Sequence, residues 1–110
     1  MLDIKELLTK ILVAIAFKQT GNHLVIGGVH ICWGDVSVSC TANTYTQTTV
    51  TLPYTYTSAP HVFTSFASQN ANARTTYGTN GGDLPLNKIH VGALSLTTRG
   101  QTVCWMTIGV

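Results

Sequence analysis

Charge is scarce in this sequence. Only 9% of its 110 residues are Asp, Glu, Lys or Arg, whereas soluble domains typically carry about 25%. The formal net charge of +2 is too small for a nucleic-acid partner, which requires a clustered basic face. The polar surface is built instead from Thr, Ser, Asn, Gln and Gly. Their neutral hydroxyl and amide groups suit hydrogen-bonding ligands such as sugars.

Carboxylates are too few for most hydrolytic chemistry. The chain has four, and Asp3 and Glu6 fall in the N-terminal segment, which leaves Asp35 and Asp83. A glycosidase needs two carboxylates that flank one bond, and Asp35 is better explained by a turn beside Gly34. No G-x-S-x-G motif accompanies the serines and histidines. We therefore expect no enzyme activity, no catalytic residues and no cofactor.

Cysteine is also sparse, and its odd number excludes a complete set of disulfides. Cys32 and Cys104 each precede a tryptophan, and we interpret both as buried thiols that act as small hydrophobes. A bridge between these two residues is the alternative. No cysteine or histidine pair has the spacing of zinc ligands, so no metal is expected. The alternative is a site shared across a three-fold axis by His30, His61 or His90.

Residues 1–18 form a segment apart from the rest. Four aliphatic residues recur at spacings of four, three and four: Ile4, Leu8, Ile11 and Ile15. This spacing predicts one apolar face of an α-helix, and the heptad positions favour trimers or tetramers over dimers. We interpret the segment as an oligomerisation helix. Two alternatives stay open: the helix packs on its own domain, or the segment is a targeting sequence. Its apolar run is too short to span a bilayer, so no membrane insertion is expected.

Beyond this segment the pattern changes to that of β-strands. Residues 19–28 contain several glycines and are predicted to be a linker with one short strand at 23–26. About six short strands separated by turn signals then predict an antiparallel β-sandwich over residues 29–110. The predicted strands are 29–40, 47–56, 61–67, 74–77, 88–98 and 102–110. We expect a turn or bulge at Gly34–Asp35, an edge position or bulge at Pro53, and Leu96 facing inward.

The tryptophans are predicted to lie in the core. Trp33 and Trp105 have apolar neighbours, and core packing buries on the order of 200 Å² of each. Stacking of either ring on a sugar is the alternative. The apolar stretch 105–110 would be an exposed patch unless the last strand lay inside a sheet. The fold class expected is therefore all-β, with a short N-terminal α-helix before the sandwich.

Four short motifs, in this order, resemble the C-terminal receptor-binding domain of bacteriophage tail-fibre proteins. They are Cys32-Trp33-Gly34, Thr49-Val50-Thr51-Leu52-Pro53-Tyr54, Ser58-Ala59-Pro60-His61-Val62-Phe63 and Trp105-Met106-Thr107-Ile108-Gly109. The resemblance covers residues 29–110 and implies a six-stranded β-sandwich similar to the H-type lectins of invertebrates, usually trimeric. It also implies a viral protein of the virion, at the tip of a tail fibre, that attaches to a glycan or other receptor on the host surface. No sugar-contacting residue of those lectins is carried over.

The longest polar stretch, residues 69–87, is the predicted ligand-binding loop. Its candidate residues are Arg74, Tyr77, Asn80 and Asp83. Sugar sites combine planar polar groups with an aromatic face, and loops place such groups on a rigid sheet. A solvated loop without a ligand is the alternative. The predicted function is a homotrimeric receptor-binding module with carbohydrate-binding loops. A structural cap or connector without receptor contact, or a secreted bacterial lectin, are the alternatives.

Overall fold

The protein is an all-β sandwich. The computed structural model describes residues 3–6, 17–68, 71–81 and 83–110, with the backbone alone for 17–20. The strands are β1 (Phe17–Thr20), β2 (His23–Ile26), β3 (Val29–Cys40), β4 (Thr46–Thr51), β5 (His61–Phe66), β6 (Ala73–Thr79), β7 (Lys88–Ser95) and β8 (Arg99–Gly109). Five form one sheet in the order β1-β2-β3-β8-β5, and three form the second in the order β4-β7-β6. All their pairings are antiparallel, which confirms the predicted fold class.

The long pairing of β3 with β8 organises the larger sheet. It runs without interruption from His30 opposite Gly109 to Cys40 opposite Arg99. Because successive side chains point to opposite faces of a strand, alternate residues of both strands enter the core. Val38 and Val103 are completely buried, as the alternation of Val with Ser had predicted for β3. The smaller sheet supplies the opposing layer through β7.

The core between the sheets contains ten buried apolar residues. They are Cys32, Val38, Cys40, Leu52, Tyr56, Ile89, Val91, Ala93, Val103 and Trp105. Tyr56 is the largest fully buried side chain. Its hydroxyl shares a hydrogen bond of 2.9 Å with the Thr107 hydroxyl and donates to the His30 carbonyl at 3.2 Å. Burial raises the pKa of this hydroxyl. The connection after β4 is therefore fastened to both central strands of the larger sheet.

The sheets approach each other closely where β5 faces β6. A Cβ atom added to Gly78 would lie 2.5 Å from a methyl carbon of Val62 and 2.8 Å from one of Thr64. The Thr64 hydroxyl also bonds the Thr76 hydroxyl at 2.9 Å. Only glycine allows this approach, since any side chain at position 78 would separate the sheets.

The predicted N-terminal helix and the predicted linker after it both need correction. Residues 4–6 are helical, and the Asp3 carboxylate accepts a hydrogen bond of 2.7 Å from the Glu6 amide, as at a helix N-cap. The helix was predicted to reach Lys18, yet Phe17 and Lys18 belong to β1. The predicted linker 19–28 is a hairpin of β1 and β2, because antiparallel pairing satisfies its backbone groups. Leu8, Ile11 and Ile15 lie outside the described residues. Oligomerisation by this segment stays a prediction.

Three details within the sandwich were wrong. β3 continues through Gly34 and Asp35 without a break, because the glycine makes room for the Trp105 ring rather than a turn. β4 ends at Thr51, two residues before Pro53, so the strand does not reach residue 56. Leu96 follows the end of β7 and is 39% exposed.

The cysteines are free. The prediction of a buried thiol is confirmed for Cys32 and is wrong for Cys104, which lies on the outer face. Cys32 is buried on the inner face of β3, whereas Cys104 is half-buried and pairs with Asp35 on the outer face of the same sheet. Side chains on opposite faces cannot be bridged. A hydrogen bond to the Asp35 carboxylate, together with burial, raises the pKa of the Cys104 thiol.

The two tryptophans have different environments. Trp105 is 7% exposed, which confirms its prediction as a core residue. Trp33 was predicted to be a core residue too, but it is half-buried on the outer face, because β3 places odd-numbered residues outside. Within the described residues, no helix is both long and apolar enough to cross a membrane.

The contact between Gly34 and Trp105 is testable with alanine. A Cβ at position 34 would lie 2.8 Å from the indole ring, so Gly34→Ala must displace a buried side chain. We expect a loss of about 1–3 kcal/mol in the free energy of unfolding, measured by urea denaturation. Gly100→Ala is the matched control, because its Cβ would meet Ser37 at an ordinary 3.5 Å. Equal stability of the two variants would contradict this account of Gly34.

Candidate functional site

The outer face of the smaller sheet carries a row of polar and aromatic side chains. Gln47 of β4 pairs with Gly92 of β7, which pairs with Tyr77 of β6. Residues paired across antiparallel strands share a face. In the next row Thr49 pairs with His90. We call the residues Tyr45, Gln47, Thr49, Tyr77 and His90 the Tyr77 face.

Tyr77 is held flat against the sheet. A Cβ atom on Gly92 would overlap the Tyr77 ring, so the ring occupies the space above the glycine. Its hydroxyl donates a hydrogen bond of 2.9 Å to Oε1 of Gln47, on the far side of β7. The phenol therefore spans three strands, and its orientation is fixed at both ends.

Two further groups border this ring. Tyr45, which precedes β4, is 60% exposed, and its ring meets Tyr77 edge-on at a centroid distance of 5.8 Å. Thr49 Oγ1 and His90 Nδ1 share a hydrogen bond of 3.1 Å in the neighbouring row. The surface thus combines two aromatic rings with amide, hydroxyl and imidazole groups.

The chemistry of this face suits a neutral polyhydroxylated ligand. β4, β6 and β7 contain no Asp or Glu, and their two cations, Arg74 and Lys88, lie outside the rows of Tyr77 and His90. An aromatic ring in a fixed position offers a flat apolar surface, and its neighbours offer donors and acceptors. The face has no nucleophile with an adjacent base and acid, and it is open rather than enclosed. Its geometry supports binding.

The four loop residues predicted as ligand-binding are not brought together as one site. Tyr77 alone lies on the Tyr77 face. The Arg74 guanidinium, three residues earlier and about 10 Å away along the strand, donates to the carbonyls of Ala71 and Ala73 at 2.8 and 3.1 Å. It thereby braces the turn that leads into β6.

Asn80 was predicted to bind ligand, but it has a structural role. It is 8% exposed, and its side-chain amide donates to the carbonyls of Pro85 and Lys88 at 3.0 and 2.7 Å. Both amide donors are used to close the connection between β6 and β7, so they are withdrawn from any ligand. Asp83 is exposed in that same connection.

Sequence reasoning overlooked Tyr45, Gln47, Thr49 and His90 as partners of Tyr77. One signal was available: Gly92 interrupts a strand otherwise made of side chains that pack, and a glycine inside a strand often marks a close approach. The identity of the approaching ring depends on the pairing of β6 with β7, which the sequence pattern does not encode.

One end of the outer face of the larger sheet is apolar. Leu24, Ile31 and Ile108 form one row across β2, β3 and β8, and Trp33, Met106 and Phe63 form the next across β3, β8 and β5. We call these six residues, with Ile26 at the edge, the apolar face. Phe63 is 54% exposed, Ile26 41% and Met106 39%. A shallow groove of about 270 Å³ follows β5 and β8 here. Contiguous exposed apolar surface of this kind marks interaction sites.

Metal ligands are not clustered in the described residues. The described residues contain no group of three or more His, Cys, Asp or Glu side chains that could hold an ion.

Comparison of the chain with protein-family models, curated proteins and solved structures finds no match. The assignment of function therefore depends on the two faces and on the sequence motifs.

The position of the Tyr77 ring above Gly92 can be tested by substitution. Gly92→Ala would place a methyl group where the ring now lies. We expect the ring to swing away, break its bond to Gln47 and leave the free energy of unfolding within about 1 kcal/mol of wild type, since a half-buried ring on the outer face can move into solvent. NMR ring-proton shifts and contacts of Tyr77 report its position. Unchanged contacts between Tyr77 and Gln47 in the variant would contradict the arrangement.

Proposed function

We propose that this chain is a non-enzymatic adhesion module that binds glycans on a host cell surface, as the receptor-binding tip of a phage tail fibre. The observation that carries the proposal is the Tyr77 ring, held flat between Gly92 and Gln47 on a neutral polar surface. A pyranose ring has an apolar face that stacks on such an aromatic ring, while its hydroxyls meet the surrounding polar groups. The motif order shared with tail-fibre domains supports the virion location.

A shallow face of this type binds weakly, so assembly matters. Linking several sites raises the apparent affinity by roughly 10²–10⁴ without any new contact. We infer a homotrimer, as the heptad positions of the N-terminal segment suggest. Adhesion would then come from three copies of the Tyr77 face that engage one surface together.

The apolar face is the surface proposed for contact between copies. β1 follows the N-terminal segment directly and is the edge strand of the sheet that carries this face. Helices joined in a trimer would therefore bring three larger sheets next to one another. Interface cores are apolar and rich in Trp, Met and Phe, which is the composition of the row Trp33, Met106 and Phe63. In this proposal the apolar face mediates assembly and the Tyr77 face binds the receptor.

Glycan binding is tested with the assembled protein on a glycan array. We expect binding to a neutral oligosaccharide, and Tyr77→Ala should weaken it about tenfold or more, because roughly 1.4 kcal/mol of stacking corresponds to tenfold. Tyr77→Phe keeps the ring and loses the bond to Gln47, so an intermediate loss is expected. Arg74→Ala is the control and should bind as wild type, because the Arg74 guanidinium binds backbone carbonyls of the turn before β6.

Two outcomes would reject this site. If Tyr77→Ala binds glycan as wild type does and Arg74→Ala loses binding, the site lies in the loop of residues 69–87. No glycan bound by the intact oligomer would favour a structural cap or connector. Melting temperatures of all variants are compared, so that loss of folding is distinguished from loss of contact.

The assembly is tested by light scattering. We expect a mass near three chains of 11.8 kDa at micromolar concentration. Phe63→Glu places a charge in the apolar face and should shift the population toward monomer, because an unpaired charge is costly to bury. Tyr45→Glu is the matched control: Tyr45 has a similar exposure on the opposite side of the molecule. A wild-type monomer, or equal effects of the two variants, would contradict the proposal.

A further inference from the structure

Two histidines meet on the inner face of the larger sheet. His23 of β2 and His30 of β3 are separated by 2.7 Å between His23 Nε2 and His30 Nδ1. Their ring planes differ by 19°, with centroids 5.0 Å apart. The two nitrogens therefore point at each other nearly in plane and share one hydrogen bond.

An aromatic side chain covers this pair. The Tyr54 ring stacks on His30 with a centroid distance of 3.7 Å and an interplanar angle of 3°, and it lies 5.1 Å from His23. Tyr54 also meets the buried Tyr56 edge-on at 5.0 Å. Tyr56 in turn donates its hydroxyl to the His30 carbonyl. The cluster links β2 to the core of the sandwich.

The β1–β2 hairpin joins the backbone of the larger sheet through β2. β1 pairs with β2, and β2 pairs with β3 through four residues, from His23 opposite Cys32 to Ile26 opposite Val29. An isolated two-stranded hairpin is marginal in water. Attachment of the hairpin therefore depends strongly on side chains such as His23.

The number of protons on the two rings determines how the His23–His30 contact responds to acid. In the neutral pair, one hydrogen lies between the two facing nitrogens. One added proton fits, because the donor ring can take it on its outer nitrogen and keep donating. A second added proton places a hydrogen on both facing nitrogens, so the hydrogen bond is replaced by repulsion between two cations.

The surroundings do not neutralise that charge. Among the side chains that the structure describes, the other titratable groups that face the pair are Tyr54, Tyr56 and Cys32, the residue opposite His23, and none is acidic near neutral pH. The one carboxylate on β1, β2 and β3 is that of Asp35, on the outer face of the sheet.

We propose that the His23–His30 pair is an acid-sensitive latch, which holds the β1–β2 hairpin against the sandwich at neutral pH and releases it on acidification. Release would uncouple whatever precedes β1 from the binding domain while β3 and β8 stay paired. Burial and the neighbouring His30 lower the pKa of His23. A group with a lowered pKa contributes its stability above its unfolded value of about 6.5 and loses it as pH falls through the folded value.

Hydrogen exchange of the full chain between pH 7.5 and 4.5 tests the latch. After correction for intrinsic exchange, protection of β1 and β2 amides should fall by up to about tenfold per pH unit as the pH drops from about 6.5 to the second protonation of the folded pair, and then level off. Protection of the β3 amides from Val36 to Val38 should not change. Constant protection of the hairpin, or its loss together with β3, would overturn the proposal.

The matched variants are His23→Gln and His61→Gln. The side-chain amide introduced by H23Q can donate to a neutral His30 or accept from a protonated one, so this variant should keep its hairpin protected at pH 4.5. His61 is exposed on β5, and its replacement should leave the wild-type response intact. An acid response retained in H23Q or lost in H61Q would overturn the proposal. Should H23Q fail to fold, the wild-type imidazole NMR titration decides: the lower of two steps must coincide with hairpin release.

Discussion

The pairing of β3 with β8 is the constraint on which the rest of the molecule depends. Its register sends Cys32, Val38 and Trp105 inward and Trp33 and Met106 outward. A slip by one residue would exchange the two sets, expose the core and bury polar side chains without partners. The inner set also positions Thr107, and through its hydroxyl the buried Tyr56. The connection after β4, and with it the smaller sheet, is thus aligned with these two strands.

Each sheet consequently presents a different outer surface. The smaller sheet carries Tyr77 between strands rich in threonine, whereas the larger sheet carries tryptophan, methionine and phenylalanine side by side. With so few charges in the chain, neither surface depends on ion pairs, and salt should have little influence on either. The proposed function assigns self-association to one of these surfaces and contact with a neutral glycan to the other.

The fold class was predictable from sequence, because an alternation such as Val36 to Ser39 encodes burial locally. The path of β3 through Gly34 was not predictable, because that glycine makes room for the Trp105 ring on another strand. The site was predicted only in part. Tyr77 was identified, yet an Asn80 amide that binds backbone carbonyls looks the same in sequence as one that binds a sugar. The partners of Tyr77 come from β4 and β7, and strand order across a sheet is a tertiary property.

The direction of β1 decides how the domain would resist a pull. β1 runs from Phe17, which shares a row with Ile26 and Val29, toward Thr20, which shares a row with His23 and Cys32. Tension entering at Phe17 and directed away from the sandwich acts along the strand axis. It loads the four β1–β2 pairs together in shear instead of peeling them one after another. A pairing of four residues in this orientation shares such a load along its whole length.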